Sequence, residues 1–123
     1  MSKILIVEDN VKNMKLVRDL LKAKGYETLE ATTGEQGVAL ALAHEPDLVL
    51  MDIQLPDING IEAFERIRAD PRTADVPVVA FTASVTPTDR NRITQAGFSG
   101  FVSKPIELKQ FLATIKRMLG ATS

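Results

Sequence analysis

The sequence has no cysteine and no tryptophan, one histidine (His44) and one tyrosine (Tyr26). Without cysteine there is no disulfide framework, thiolate zinc site, iron–sulfur cluster or cysteine nucleophile. A single histidine excludes a multi-histidine metal centre. Charge of one sign is also lacking: 15 Lys plus Arg stand against 16 Asp plus Glu, so the basic excess that phosphate backbones require is missing and no nucleic-acid partner is expected. Arg66, Arg68, Arg90 and Arg92 read as solvated helix charges. Long apolar runs are absent too. The longest, Val38 to Ala43, is far short of a membrane span, and Lys3 to Val7 meets Glu8 and Asp9 at once, unlike a signal-peptide core. These absences fit a cytoplasmic protein without membrane insertion. They leave oxygens, lysine and arginine to carry any chemistry.

What is present is an ordinary globular composition, 45% apolar and 25% charged over 123 residues, which is about one domain. Short apolar runs alternate with amphipathic stretches. The strands expected are Lys3–Val7, Tyr26–Ala31, Leu48–Met51, Val76–Phe81 and Phe98–Ser103. Between them, Asn10 caps a helix running to about Lys24 and ended by Gly25, and a second starts at Thr33 or Gly34 and stops before Pro46. A third covers Gly60–Ala69, a fourth runs from Pro87 to Gly97, and a fifth covers Glu107–Leu119. Five βα units mean an α/β fold whose parallel sheet is covered on both faces. The leading topology is the flavodoxin-like, doubly wound (βα)5 fold with strand order 2-1-3-4-5, whose crevice lies beyond the carboxyl ends of the strands.

Those ends are polar. The first strand delivers Glu8 and Asp9, the third Asp52, the fourth Thr82 with Ala83 and Ser84, and the fifth Lys104 before Pro105. In the 2-1-3-4-5 order all of them converge on one rim. Crowded carboxylates repel unless a cation sits among them. Asp9, Asp52 and a backbone carbonyl near Gln54 could supply protein oxygens to Mg2+, with Glu8 acting through a water. A carboxylate beside Mg2+ is a competent nucleophile for phosphorus, and Lys104 and Thr82 offer a cation and a hydroxyl to phosphoryl oxygens. Any one of these residues alone reads as a cap or loop residue; together they point to function.

The set resembles the receiver domain of two-component response regulators. The acidic pair Glu8-Asp9, Asp52 within Met51-Asp52-Ile53-Gln54-Leu55-Pro56, Gly60, Thr82-Ala83 and Lys104-Pro105 occur in the family's order, and the similarity spans about residues 3 to 119. The resemblance implies that Asp52 accepts a phosphoryl group from a phosphohistidine. It implies that Glu8, Asp9, Asp52 and the Gln54 carbonyl form the Mg2+ site, and that Lys104-Pro105 is a cis peptide. It further implies that Thr82 and Ala83 bind the phosphoryl group with Lys104, and that Phe101 is the switch aromatic. Many family members carry Tyr there; Phe has no hydroxyl to offer. Gln54 and Ser84 flank the path of hydrolytic water and are expected to tune the phosphoryl lifetime.

The motifs take up nearly the whole chain, so a single receiver domain over 1–123 is expected, as a natural single-domain protein and a monomer that signals through a downstream protein reader. The partners implied are a sensor histidine kinase, a phosphatase, or both, with a histidine phosphotransfer protein as a further candidate. Asn13, Met14, Val17, Pro105 and Ile106 are the docking candidates, although Met14 and Val17 also fit the core. His44, near a helix end, reads as a helix-terminus residue. The first helix resembles those of receivers in hybrid kinases, which shuttle phosphoryl groups in relays, and of single-domain cell-division regulators of the DivK type. Asn13-Met14-Lys15-Leu16 and the tail Phe111-Leu112…Ile115-Lys116-Arg117 lean toward the latter. Two other classes share features. An FMN carrier would want Ser, Thr and Gly where Glu8-Asp9-Asn10 stands. A Mg2+-dependent aspartyl-phosphate phosphohydrolase would want a general acid where Gln54 stands, and a cap domain.

Overall fold

The computed structural model describes residues 2–82, 87–104 and 106–120. Strand and helix alternate as β1 (Lys3–Val7), α1 (Val11–Ala23), β2 (Glu27–Ala31), α2 (Gly34–His44), β3 (Leu48–Asp52), α3 (Gly60–Ala69), β4 (Val78–Thr82), α4 (Pro87–Ala96), β5 (Gly100–Ser103) and α5 (Leu108–Gly120). Every pairing is parallel, in the order β2-β1-β3-β4-β5. This is the flavodoxin-like α/β topology expected.

The pleat sorts each apolar run between two layers. Ile4, Ile6, Leu48, Leu50, Val79 and Phe81 pack on Met14, Val17 and Leu21 of α1 and on Phe111 and Ile115 of α5. Leu5, Val7, Val49, Met51 and Val78 face the other way, onto Ala41 of α2 and Ala63, Phe64 and Ile67 of α3. Burial on both faces is why the strands read as continuous apolar runs rather than alternating ones. It also corrects two docking candidates. Met14 and Val17 are 6% and 1% exposed; with Leu21 they occupy the inward stripe of α1 and offer no side-chain surface to a partner. The exposed large apolar side chains on that helix are Val11 and Leu16.

Strand starts differ from expectation where a residue is already committed elsewhere. Tyr26 donates its N–H to the Leu21 carbonyl at 3.1 Å and Gly25, at φ +88°, donates to Lys22 at 3.0 Å. These are the two bonds of a Schellman close to α1, so β2 begins at Glu27. Pro77 has no N–H and contributes only its carbonyl, to Val49 N at 3.0 Å, so β4 starts at Val78. Phe98 stacks on Phe64 with ring centroids 4.3 Å apart, and β5 begins at Gly100. At its other end, Glu107 caps α5 rather than entering it: its carboxylate accepts from Gln110 N at 2.7 Å. The outer strand β2 shows Glu27 and Glu30 to solvent, and Arg18 of α1 pairs with Glu30 at 3.1 Å.

Gly60 brings the start of α3 against the end of β3. Its N–H donates to the Ile53 carbonyl at 2.9 Å, and a Cβ there would overlap the Asp52 carbonyl oxygen and approach Ile53 Cα to 2.8 Å. Backbone cannot move aside as a side chain can. Gly60→Ala is therefore expected to cost about 2 kcal/mol or more, read as a lowered midpoint of urea unfolding.

Candidate functional site

The alternation that builds the core continues past the strand ends, and there it delivers charge. On the α1/α5 face, Ile4 and Ile6 are followed by Glu8, Leu48 and Leu50 by Asp52, and Val102 by Lys104. Glu8 is fully buried, Asp52 is 2% exposed and Asp9 faces solvent, and one carboxylate oxygen from each lies within 4.8 Å of the others. Lys104 reaches back over β4 to meet them. Its Nζ donates to Asp52 Oδ2 at 3.0 Å and stands 2.7 Å from Glu8 Oε1. The second contact is an ion pair, and apart from that ammonium Glu8 Oε1 has no polar partner among the described residues. Glu8 Oε2 accepts from Asn10 N at 3.2 Å and Asp52 Oδ1 from Gln54 N at 3.0 Å.

Burial, reinforced by Asp52, pushes the Glu8 carboxyl above its ordinary value. Burial alone would push the Lys104 ammonium down, but its contacts with Glu8 and Asp52 outweigh that and raise it. Fully ionised, three carboxylates against one ammonium leave two negative charges uncompensated, the charge of one divalent cation. The donors are hard oxygens, one of them buried with only the ammonium beside it. The residues present therefore fit a divalent cation of the Mg2+ or Ca2+ class.

Thr82 is buried at the end of β4, and its carbonyl accepts from Lys104 N at 2.8 Å. With Gln54, Leu55, Asn59, Arg92 and Ile93 it lines a cavity of about 400 Å3 next to the acidic cluster. Gln54 itself is exposed. Phe101 is half-buried on β5, with the Arg90 guanidinium 5.6 Å above its ring. Asn13 and Ile106 are partly exposed and His44 is exposed in the last turn of α2. Ala83, Ser84 and Pro105, and with Pro105 the expected cis peptide, lie outside the described residues.

Comparison with known proteins places this geometry. Residues 4–116 match the response regulator receiver domain. The chain belongs to that family. It is 46% identical over 117 residues to the polar-differentiation response regulator DivK of Brucella ovis, covering 95% of each chain. Among solved structures, the chemotaxis protein CheY4 of Vibrio cholerae superposes with a TM-score of 0.91 at 26% identity, covering 97% of this chain and 99% of that one. The receiver domain of a Pseudomonas aeruginosa sensor histidine kinase superposes with a TM-score of 0.90 at 33% identity, covering 97% and 98%, and has a magnesium ion coordinated in its active site cleft. The chain is thus a phosphoryl-accepting receiver, a signalling switch of the DivK-like kind whose family works with histidine kinases. Among the described residues no helix is long and apolar enough to cross a membrane.

The receiver site has two supports that sequence reasoning missed. One is Phe81, whose ring lies under Lys104. The other is Asp57, in the loop that follows Asp52. Its carboxylate accepts from Gly34 N at 2.8 Å and Glu35 N at 2.9 Å, closing the amino end of α2 and tying the loop to it. An Arg66–Glu35 pair at 2.7 Å fastens α3 to the same turn. No local motif announces Asp57, since its partners lie more than twenty residues upstream. The Glu35 N–H, with help from Gly34, holds the Asp57 carboxyl down at about 2. A depressed carboxyl stabilises the fold above its ordinary range and loses that contribution as pH falls through its folded value. The stability gap between the wild type and Asp57→Ala, measured by urea unfolding, should be open at pH 6 and narrow as pH falls below 4 toward 2.

Proposed function

We propose that Asp52 is the phosphoacceptor of a single-domain switch, with Asp9, Asp52 and the Gln54 carbonyl holding Mg2+ and Glu8 acting through water. The observation that carries this reading is Asp52 itself: a buried carboxylate at the carboxyl end of β3, with one oxygen held by the Gln54 N–H and the other by the Lys104 ammonium. In the transfer, an Asp52 oxygen attacks phosphorus, a P–O bond forms, the P–N bond of the donor phosphohistidine breaks, and its electron pair returns to the imidazole nitrogen. When bound, Mg2+ supplies charge neutralisation between the carboxylate and the phosphoryl oxygens. Lys104 releases Asp52 and pairs with the phosphoryl group, while Thr82 and the Ala83 backbone contact its remaining oxygens. Gln54 and Ser84 flank the approach of water and set the lifetime of the phosphoryl group.

The added group carries about −1.5 to −2 charges. Thr82 turns toward it, and Phe101 moves into the space left, giving up its stack under Arg90. The altered face, formed by α4, β5 and α5, is what a downstream protein reads. A sensor histidine kinase, a phosphatase or a histidine phosphotransfer protein docks over α1 and the loop after Lys104, at Asn13, Pro105 and Ile106. By likeness to DivK, the pathway is one of polar differentiation and the cell cycle, in a cytoplasmic, monomeric protein.

Acetyl phosphate with Mg2+ should label the wild type once per chain, and Asp52→Asn should abolish labelling. Unchanged labelling of that variant rejects the assignment, and repeated turnover of small phosphate esters would favour a phosphohydrolase instead. Mg2+ at about 100 times its dissociation constant should add about 2.7 kcal/mol to the unfolding free energy, an increment lost in Asp9→Asn. On adding beryllofluoride, NMR shift changes should extend beyond the Asp52 loop to Phe101 and α4; confinement to that loop rejects the switch.

A further inference from the structure

We infer that Phe81 is a positioning residue for Lys104, its ring face carrying the ammonium at the point where it bridges Glu8 and Asp52. This builds on the reading of Asp52 as phosphoacceptor with Lys104 beside it. Lys104 follows β5, whereas Asp52 ends β3, and β4 lies between them. The two strands are roughly 10 Å apart, two strand spacings, and the gap is closed by the lysine side chain from one side and the carboxylates of Asp52 and Glu8 from the other. What the lysine crosses is Phe81, the register partner of Asp52 on β4 and on the same face of the sheet. Nζ stands 4.7 Å from the ring centroid, within cation–π range. The ring is 2% exposed and the Lys104 side chain 16%, so water weakens the contact little. Phe81 is also packed into the layer under α1 and α5, which keeps its face turned to the rim.

A ring differs from the carboxylates in one respect that matters for turnover. Glu8 and Asp52 share their oxygens with any cation or phosphoryl group that enters, and their hold on the ammonium weakens as they do. The ring neither binds a metal nor exchanges a proton. Its attraction persists through loading and transfer, and it keeps the ammonium at the rim while its anionic partners change.

Site-specific replacement of Phe81 by mono-, tri- and pentafluorophenylalanine keeps the side chain's shape while draining negative potential from its face. The rate of phosphorylation by acetyl phosphate at saturating Mg2+ should fall stepwise, about tenfold at the pentafluoro end. In the Mg2+-free protein, the Lys104 ε-methylene protons should resonate upfield, shifted by the ring current, and return to ordinary positions in Phe81→Leu. A flat rate series, or Lys104 protons at ordinary positions in the wild type, overturns the proposal. If the wild type accepts no phosphoryl group, or Asp52→Asn still does, the assignment of Asp52 is at fault; the Lys104 resonances then decide for or against Phe81 by themselves.

Discussion

One ammonium between two buried carboxylates is the interaction around which the rim of this protein is organised. Glu8 and Asp52 sit at the end of an apolar layer, where two like charges without a partner would be costly. Neither β1 nor β3 supplies that partner. It comes from beyond β5, and so depends on the order of the sheet, on β4 lying flat beneath the reach of Lys104, and on backbone that holds each strand end at the right height. The Thr82 carbonyl bonded to the Lys104 N–H, the Gln54 N–H on Asp52 and the Asn10 N–H on Glu8 are the local fixings of that height.

Adjacent residues of β4 serve opposite sides of the sheet. Phe81 belongs to the layer under α1 and α5 and meets Lys104, while Thr82 opens onto the cavity bordered by Arg92 and Ile93 of α4. A change at Asp52 therefore has a short route to α4 through one strand. Phe101, paired with Ala80 of that same strand and stacked under Arg90, lies at the far end of the route. Having no hydroxyl, Phe101 has only its shape and ring face to offer a neighbour.

Much of this was legible from residue order because the same two-residue period governs the core and the rim. A strand that is apolar on both faces and then stops at Glu8, Asp52 or Thr82 marks its own end, and parallel order brings the ends together. Legibility failed where a residue suited to one role is taken up by another. Tyr26 has the look of a strand residue but its N–H closes α1, and Phe98 extends an apolar run but its ring is engaged by Phe64. Met14 and Val17 flank the site in sequence, yet the helical period turns them inward. Phe81 and Asp57 had no signature because their roles arise from cross-strand register and from a helix end far upstream.

The outer rows of the sheet carry a consequence for association between copies. β2 carries the exposed carboxylates of Glu27 and Glu30, and β5 is only four residues long. Short or charged edges are poor templates for strand addition, since a second chain aligning there meets like charge or runs out of backbone to pair with. Continuous sheets across molecules are thereby discouraged. Helix faces and rim loops, not strand edges, are what the fold leaves open to a partner.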